Sequence, residues 1–267
     1  MKQDNHSLSH KKFLKKYKIN QVLIFVAQLF LLIFILAGWE LLTKYEIIDA
    51  FIFSSPSRII KTIGTLYNSG DLFYHIQTTL LEALIGFLLA TFLGILFAVV
   101  LWWNNALKKI TDPYLVVLNS LPKIALGPIL IVWFGANTNA IIAMAVLIVI
   151  IITILNMLNA YLLTDNDKIL LLKSMGASKW QILTKLILPG AMPKFVNTLK
   201  INVGLTWVGV IMGEYLVSRA GLGYLIIYGG QVFKLDLVMT STVILCSLAG
   251  LMYGLVGLIE KKLVKHY

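Results

Sequence analysis

KSMGASKWQILTKLILPGAMP, Lys173 to Pro193, is the stretch that decides how the chain is organised. It carries Lys173, Lys179 and Lys185 without one carboxylate, and it lies between two strongly apolar runs. It holds no Cys or His, so it is not an obvious catalytic loop. Just before it, Thr164, Asp165, Asn166 and Asp167 make a polar turn suited to starting a helix. Lys168 to Met175 can be helical, and Gly176 supplies the left-handed position that ends such a helix. Ser178 has Gln181 three residues on, the spacing of a capping box. A second helix would then carry Trp180, Leu183 and Ile187, with Ile182 and Leu186, on an apolar stripe, while Lys179 and Lys185 point elsewhere. Pro189 is expected to stop it, and Pro193 restricts entry to the next apolar run. From the residues alone, such a helix can rest on an anionic membrane surface or fill a groove on a soluble protein.

Working outward, the 267-residue chain is 59% hydrophobic and only 13% charged, with a mean hydropathy of +0.86. Soluble domains carry roughly twice that charge, so the composition points to a membrane protein. Crossing a bilayer as a helix takes about 20 apolar residues. Six runs come close: 21–43, 79–103, 113–134, 140–162, 196–216 and 237–259, the third interrupted by NSLPK at Asn119 to Lys123. The first follows a basic tail, 1–20, but is too long for a signal-peptide core and has no small-x-small cleavage site after it. The expected architecture is all-α, a polytopic membrane protein with six transmembrane helices.

Orientation follows from the basic residues. With a cytoplasmic N-terminus, seventeen of the 23 Lys and Arg fall on one side, in the tail with Lys2, at Lys108 and Lys109, around 168–200 and at the C-terminal end with Lys265. Five fall on the other: Lys44, Arg58, Lys61, Arg219 and Lys234. Both termini are therefore expected in the cytoplasm. Membrane insertion alone accounts for the net charge of +11, which removes the case for a nucleic-acid partner. One cysteine, Cys246, lies inside an apolar run, so there is no disulfide framework. The four histidines, His6, His10, His75 and His266, make no ligand-spaced pair, and no metal site is expected. On the outer side, Ser55, Pro56 and Ser57 can start a short helix bearing Ile59, Ile60, Ile63 and Leu66. The second span has small residues at every fourth position, Gly86, Ala90, Gly94 and Ala98, and the last has Gly250 and Gly254, spacings that let helices approach closely.

The segment Gly176 to Pro189 resembles the cytoplasmic loop signature of permease subunits in binding-protein-dependent ABC importers, E-A-A-x3-G-x9-I-x-L-P. Gly176, Leu188 and Pro189 match, Leu186 stands at the Ile position, and the Glu-Ala-Ala falls on Leu170, Leu171 and Leu172. LPKIALGPILIVWFG (Leu121 to Gly135) and GEYLVSRAGLGYLI (Gly213 to Ile226) are similar to the alkanesulfonate, taurine and nitrate branch, which also holds thiamine-precursor and riboflavin permeases. The resemblance covers about 55–265. It implies the type I ABC importer permease fold over 21–267, with a coupling loop at 163–195 that docks on a separate ATPase through Gly176, Ala177, Ser178, Trp180, Leu183, Leu186, Leu188 and Pro189. It also implies a second permease copy, two ATPase copies, an extracytoplasmic substrate-binding protein and a place in the bacterial cytoplasmic membrane. No phosphate loop occurs in this chain, so no cofactor is expected on it, and ATP and Mg belong on the partner ATPase. The cargo expected first is a small anion such as an aliphatic sulfonate, taurine or nitrate, and second a thiamine precursor or riboflavin.

Polar groups inside spans are candidates for a transport path, because burying them in lipid is costly. Asn119, Ser120 and Lys123 qualify in the interrupted span, although Lys123 can instead snorkel to the inner surface or pair with Glu82. Asn156, Thr206 and Trp207 qualify by depth, and Trp207 can as readily be packing. Glu214, at an acidic position in the resembled family, is expected to hydrogen-bond the backbone of the loop after it. In that loop Gly221, Gly223 and Tyr224 can form an outer gate, contact the binding protein, or simply order the turn. A secondary transporter would want coupling carboxylates in mid-membrane and related halves, and a membrane enzyme a His/Asp/Glu cluster such as H-E-x-x-H. Few carboxylates fall inside the spans, no clear internal repeat is seen, and no such cluster occurs.

Overall fold

The computed structural model describes residues 8–263, and the tail residues Lys2, His6, Lys265 and His266 lie outside the described residues. Among the described residues the secondary structure is entirely helical. α1 (Leu8–Lys44) begins well before residue 21, so part of the basic tail and the first span share one helix. α2 (Ala50–Phe53) and α3 (Pro56–Asn68) follow, on the side that the distribution of basic residues marks as outer. α3 starts as its residues dictate: the Ser55 side chain accepts from the Arg58 amide and Pro56 sits in the first turn, where its missing N–H costs nothing. Ile59 is the buried member of its apolar set. The Arg58 guanidinium donates to Asp236 at 3.0 and 2.7 Å, and that hydrogen-bonded ion pair raises its pKa above the ordinary value. Ser54 donates to the same carboxylate at 2.7 Å, so α3 is tied to the start of the last span.

α4 (Asp71–Trp103) is the second span. α5 (Asn105–Ser120), a short 3-10 turn over Lys123–Leu126 and α6 (Gly127–Phe134) come next, and this third apolar run is bent by 91° at Leu121–Pro122 rather than crossing straight. α7 (Thr138–Leu162) is the fourth span. Among the described residues, five helices are long and apolar enough to cross a membrane, six if the bent pair counts as one. The inner loop holds α8 (Asn166–Ser174), α9 (Lys179–Ile182), a π turn over Leu183–Ile187 and α10 (Leu188–Gly190). α11 (Met192–Val217), α12 (Leu222–Gln231) and α13 (Leu235–Leu263) complete the chain.

The core is the three-helix contact of α4, α7 and α11. Its closeness is set by small residues: a Cβ on Gly86 would stand 2.9 Å from that of Ala145, and one on Gly213 2.9 Å from the Ile141 backbone. Gly86, Ala90, Gly94 and Ala98 are all buried, so the stripe in the second span serves packing inside the chain. Gly250 and Gly254 face open space instead, and α1 is almost wholly exposed along its apolar length. A buried polar clamp crosses the same three helices. Asn202 donates to Thr91 at 3.0 Å and accepts from Thr153 at 3.1 Å, and each side chain satisfies the others where water cannot.

Candidate functional site

At the inner end, local chemistry builds the loop residue by residue. The Asp165 side chain accepts from the Asp167 amide and starts α8. Gly176 takes φ +82°, a left-handed conformation that suits glycine, and its amide donates to Lys173 O at 3.0 Å. Ser178 and Gln181 form a complete capping box, with the Ser178 amide donating to Gln181 Oε1 at 2.7 Å and the Gln181 amide to Ser178 Oγ at 3.3 Å.

Pro189 does not stop the helix. The turn before it widens to the π form, in which the Leu188 amide reaches back to Leu183 O. Pro189 has no N–H to contribute, and the widened turn places it at the beginning of a new helical turn, where none is required. Helical backbone therefore continues through α10 almost to the start of α11.

The apolar stripe is directed inward. Ile182 (3% exposed), Leu183 (1%) and Ile187 (0%) are buried against the inner ends of α4, α5 and α7, beside Leu101, Leu115, Leu158 and Tyr161. Leu183 is thus unavailable to a partner, and Leu186, Leu188 and Pro189 are half-buried. The same cluster takes in Ala177, while Gly176, Ser178 and Trp180 are exposed. Trp180 packs one side on Trp103, ring centroids 6.3 Å apart. Lys179 lies 5.2 Å from the Trp103 ring and donates to the Trp103 carbonyl. Leu170, Leu171 and Met175, none of them among the expected docking residues, are exposed by 66, 60 and 74%. The 3.6-residue period of α8 shows this face once Ile169 and Leu172 are known to pack inward.

At the outer end α4, α11 and the following loop close on one another through buried polar groups. Glu214 (1% exposed) accepts from Thr79 Oγ1 at 2.6 Å and from the Gly223 amide at 2.5 Å. Thr79 Oγ1 in turn accepts from the Leu222 amide at 2.7 Å. The Gly221 amide donates to His75 Nδ1 at 3.0 Å, and the His75 ring stacks on Tyr224, which stacks on Tyr228. Gly221 has φ +106°, and a Cβ there would collide with the Glu214 carboxyl group. Ser218 Oγ donates to Ala220 O within the same turn. Glu82 (2% exposed) lies beside Glu214, and neither of its oxygens meets a donor among the described residues. It borders an outer cavity of about 360 Å³ that Asn137, Thr138, Ser218 and Arg219 also line. His75 and Thr79 are ordinary residues on an apolar helix, and only the proximity of a loop some 140 positions later gives them a role.

The remaining polar candidates do not converge on one place. Asn119 and Ser120 are exposed at the bend of the third run, and Ser120 donates to its own helix at Val116 O, 2.7 Å. Lys123 is half-buried and donates to Asn119 O at 3.1 Å, not to Glu82. Asn156 is half-buried on α7. Thr206 is fully buried and donates to Asn202 O at 2.7 Å. Trp207, 4% exposed, belongs to the core with Ala145, Val203 and Val210, so neither face of its ring is open to a stacked ligand. No group of three or more His, Cys, Asp or Glu able to hold a metal occurs among the described residues.

Comparison with known proteins places these two ends in context. The chain is 29% identical to the putative aliphatic sulfonates transport permease protein SsuC of Bacillus subtilis, over 86% of this chain and 84% of that one. It is 33% identical to the formylaminopyrimidine transport permease protein ThiX of Halalkalibacterium halodurans, over 70% and 74%. Among solved structures, a chain of the bacterial alginate ABC transporter in complex with alginate pentasaccharide-bound periplasmic protein superposes with a TM-score of 0.65 at 14% identity, covering 93% of this chain and 98% of that one, a likeness of fold. Residues 90–265 match the family described as binding-protein-dependent transport system inner membrane component. That span takes in the bent third run, the Gly176 turn and Glu214 with the loop after it, while His75 and Thr79 lie before it, and the chain is a member of that family, a multi-pass permease of the ABC importer type.

Proposed function

We propose that this chain works as one of two identical permeases, assembled with two ATPase subunits and an external substrate-binding protein, and that it imports by alternating access. The observation that carries the reading is the inner loop. A left-handed glycine and a complete capping box hold α8 and α9 at a fixed angle, with Leu170, Leu171, Met175 and Trp180 uncovered. Rigid, apolar and exposed is the build of a surface that docks on a protein. In the working complex ATP and Mg reside on the ATPase, and the loop over 163–195 conveys its motion to the spans. The lysine distribution supports cytoplasmic termini and a bacterial cytoplasmic membrane.

For the cargo, an aliphatic sulfonate or a related small anion is supported by the similarity to SsuC over most of both chains. A thiamine precursor is the second reading, favoured by the higher identity to ThiX over a shorter stretch. The direct test is co-purification with the ATPase encoded beside it, comparing wild type with Gly176→Pro. Proline cannot adopt φ +82° and removes the amide that bonds Lys173 O, without touching a span. The expected result is a folded variant that loses the ATPase. Equal retention by both chains would return the loop to the membrane surface. Reconstituted with the binding protein, ATP turnover stimulated by taurine or an alkanesulfonate, against formylaminopyrimidine, decides between the cargoes.

A further inference from the structure

We infer that the exposed face of α8 selects an ATPase whose docking cleft is apolar at its floor and carboxylate-bearing at its rim. This rests on the importer reading above and specifies the chemistry of the partner.

The direction of the face comes from helix geometry. Residues on a helix step by about 100°. Ile169 and Leu172, one turn apart, pack on the cluster at the inner ends of the spans. Leu170 and Leu171 therefore lie on the opposite side of α8, pointing away from the spans and from the bilayer beyond them. Lipid cannot cover a face turned from the membrane, and a large apolar group left bare at 60% or more is the mark of a protein contact.

The charge around that face has one sign. Lys168 and Lys173 are exposed on α8, and each borders a cleft beside the helix, of about 350 and 390 Å³ respectively. Asp165 and Asp167 are confined to the start of α8, and no carboxylate follows from Lys168 through Lys200. A complementary surface carries acidic groups opposite the lysines. Within the patch, position 170 is leucine where the resembled signature has an acid. A partner with a cation at that point would bury it without a counter-charge, which opposes binding. An apolar floor gains the burial of Leu170, Leu171 and Met175 instead.

The test measures binding of the neighbouring ATPase to the full-length permease in detergent and in phosphatidylglycerol nanodiscs, for wild type, Leu170→Glu and the pair Lys168→Glu/Lys173→Glu. All three positions are exposed, so melting temperatures should agree and serve as the folding control. Leu170→Glu is expected to weaken binding about tenfold or more. The lysine pair is expected to weaken it several-fold and to flatten its dependence on KCl. Unchanged or tighter binding by Leu170→Glu, or a salt dependence untouched by the lysine pair, overturns the cleft chemistry while leaving the importer reading intact. If ATPase binding is indifferent to every variant but depends on the anionic lipid, the face belongs to the membrane. No binding by wild type overturns both readings.

Discussion

The two ends of this permease are finished in opposite ways. At the outer end, Glu214, Thr79 and His75 bond the backbone of the 218–224 loop, and nearly every group involved is buried inside the chain. At the inner end the backbone is equally well capped, yet four large apolar side chains are left bare. The outer clasp bonds its own loop, with only the neighbouring Glu82 left without a donor among the described residues, whereas the inner end leaves an apolar surface open. Mutations should therefore act on stability at the first and on association at the second.

The strongest way to break that contrast is Gly221→Val. It forces a β-branched residue to φ +106° and drives its Cβ into the Glu214 carboxyl group. The expected loss is about 3 kcal/mol or more, read as a large fall in melting temperature in detergent. Thr79→Val comes next. It removes the hydroxyl that joins the Leu222 amide to Glu214 and should cost about 1–2 kcal/mol. Asn202→Leu removes the clamp across α4, α7 and α11, and hydrogen bonds of this kind between spans are worth about 1 kcal/mol. The smallest stability effect belongs to Trp180→Ala, about 0.5 kcal/mol or less, while its ATPase affinity falls. A Trp180→Ala protein that melts like Gly221→Val would show that the inner loop holds the fold together and that the division between the ends is wrong.

Much of this was legible in the residues. Apolar run length marked the spans, and Ser178, Gln181 and Gly176 marked the inner loop, because caps and left-handed turns are decided within a few positions. Where the sequence misled, longer range decided. The stripe of Leu183 and Ile187 looked free for a partner because periodicity shows that a face is apolar without showing what covers it, and here the inner ends of three other helices do. Pro189 looked like a stop because the widened turn before it has no short-range signature. The 91° bend in the third run was visible only as an interruption at Pro122. His75, Thr79 and Asn202 gave no signal, since their partners come from distant helices. For Trp207 the residues left both a path and packing open, and the tight approach of α7 and α11 encloses it in the core.

The π turn at Leu183–Ile187 has one more consequence, which is mechanical. Because Pro189 is absorbed rather than obeyed, backbone from Lys179 to Val217 is helical almost without interruption, the only break being a single turn at Ala191. Helix is stiff along its axis, at about 1.5 Å per residue, so this stretch acts as a cranked lever some tens of ångströms long. Trp180 sits at one end of it and Glu214 near the other. If the inner loop docks as proposed, a push on it would reach the outer clasp through one covalent rod, and a flexible linker spliced in at Ala191 would disconnect the two while leaving both ends folded.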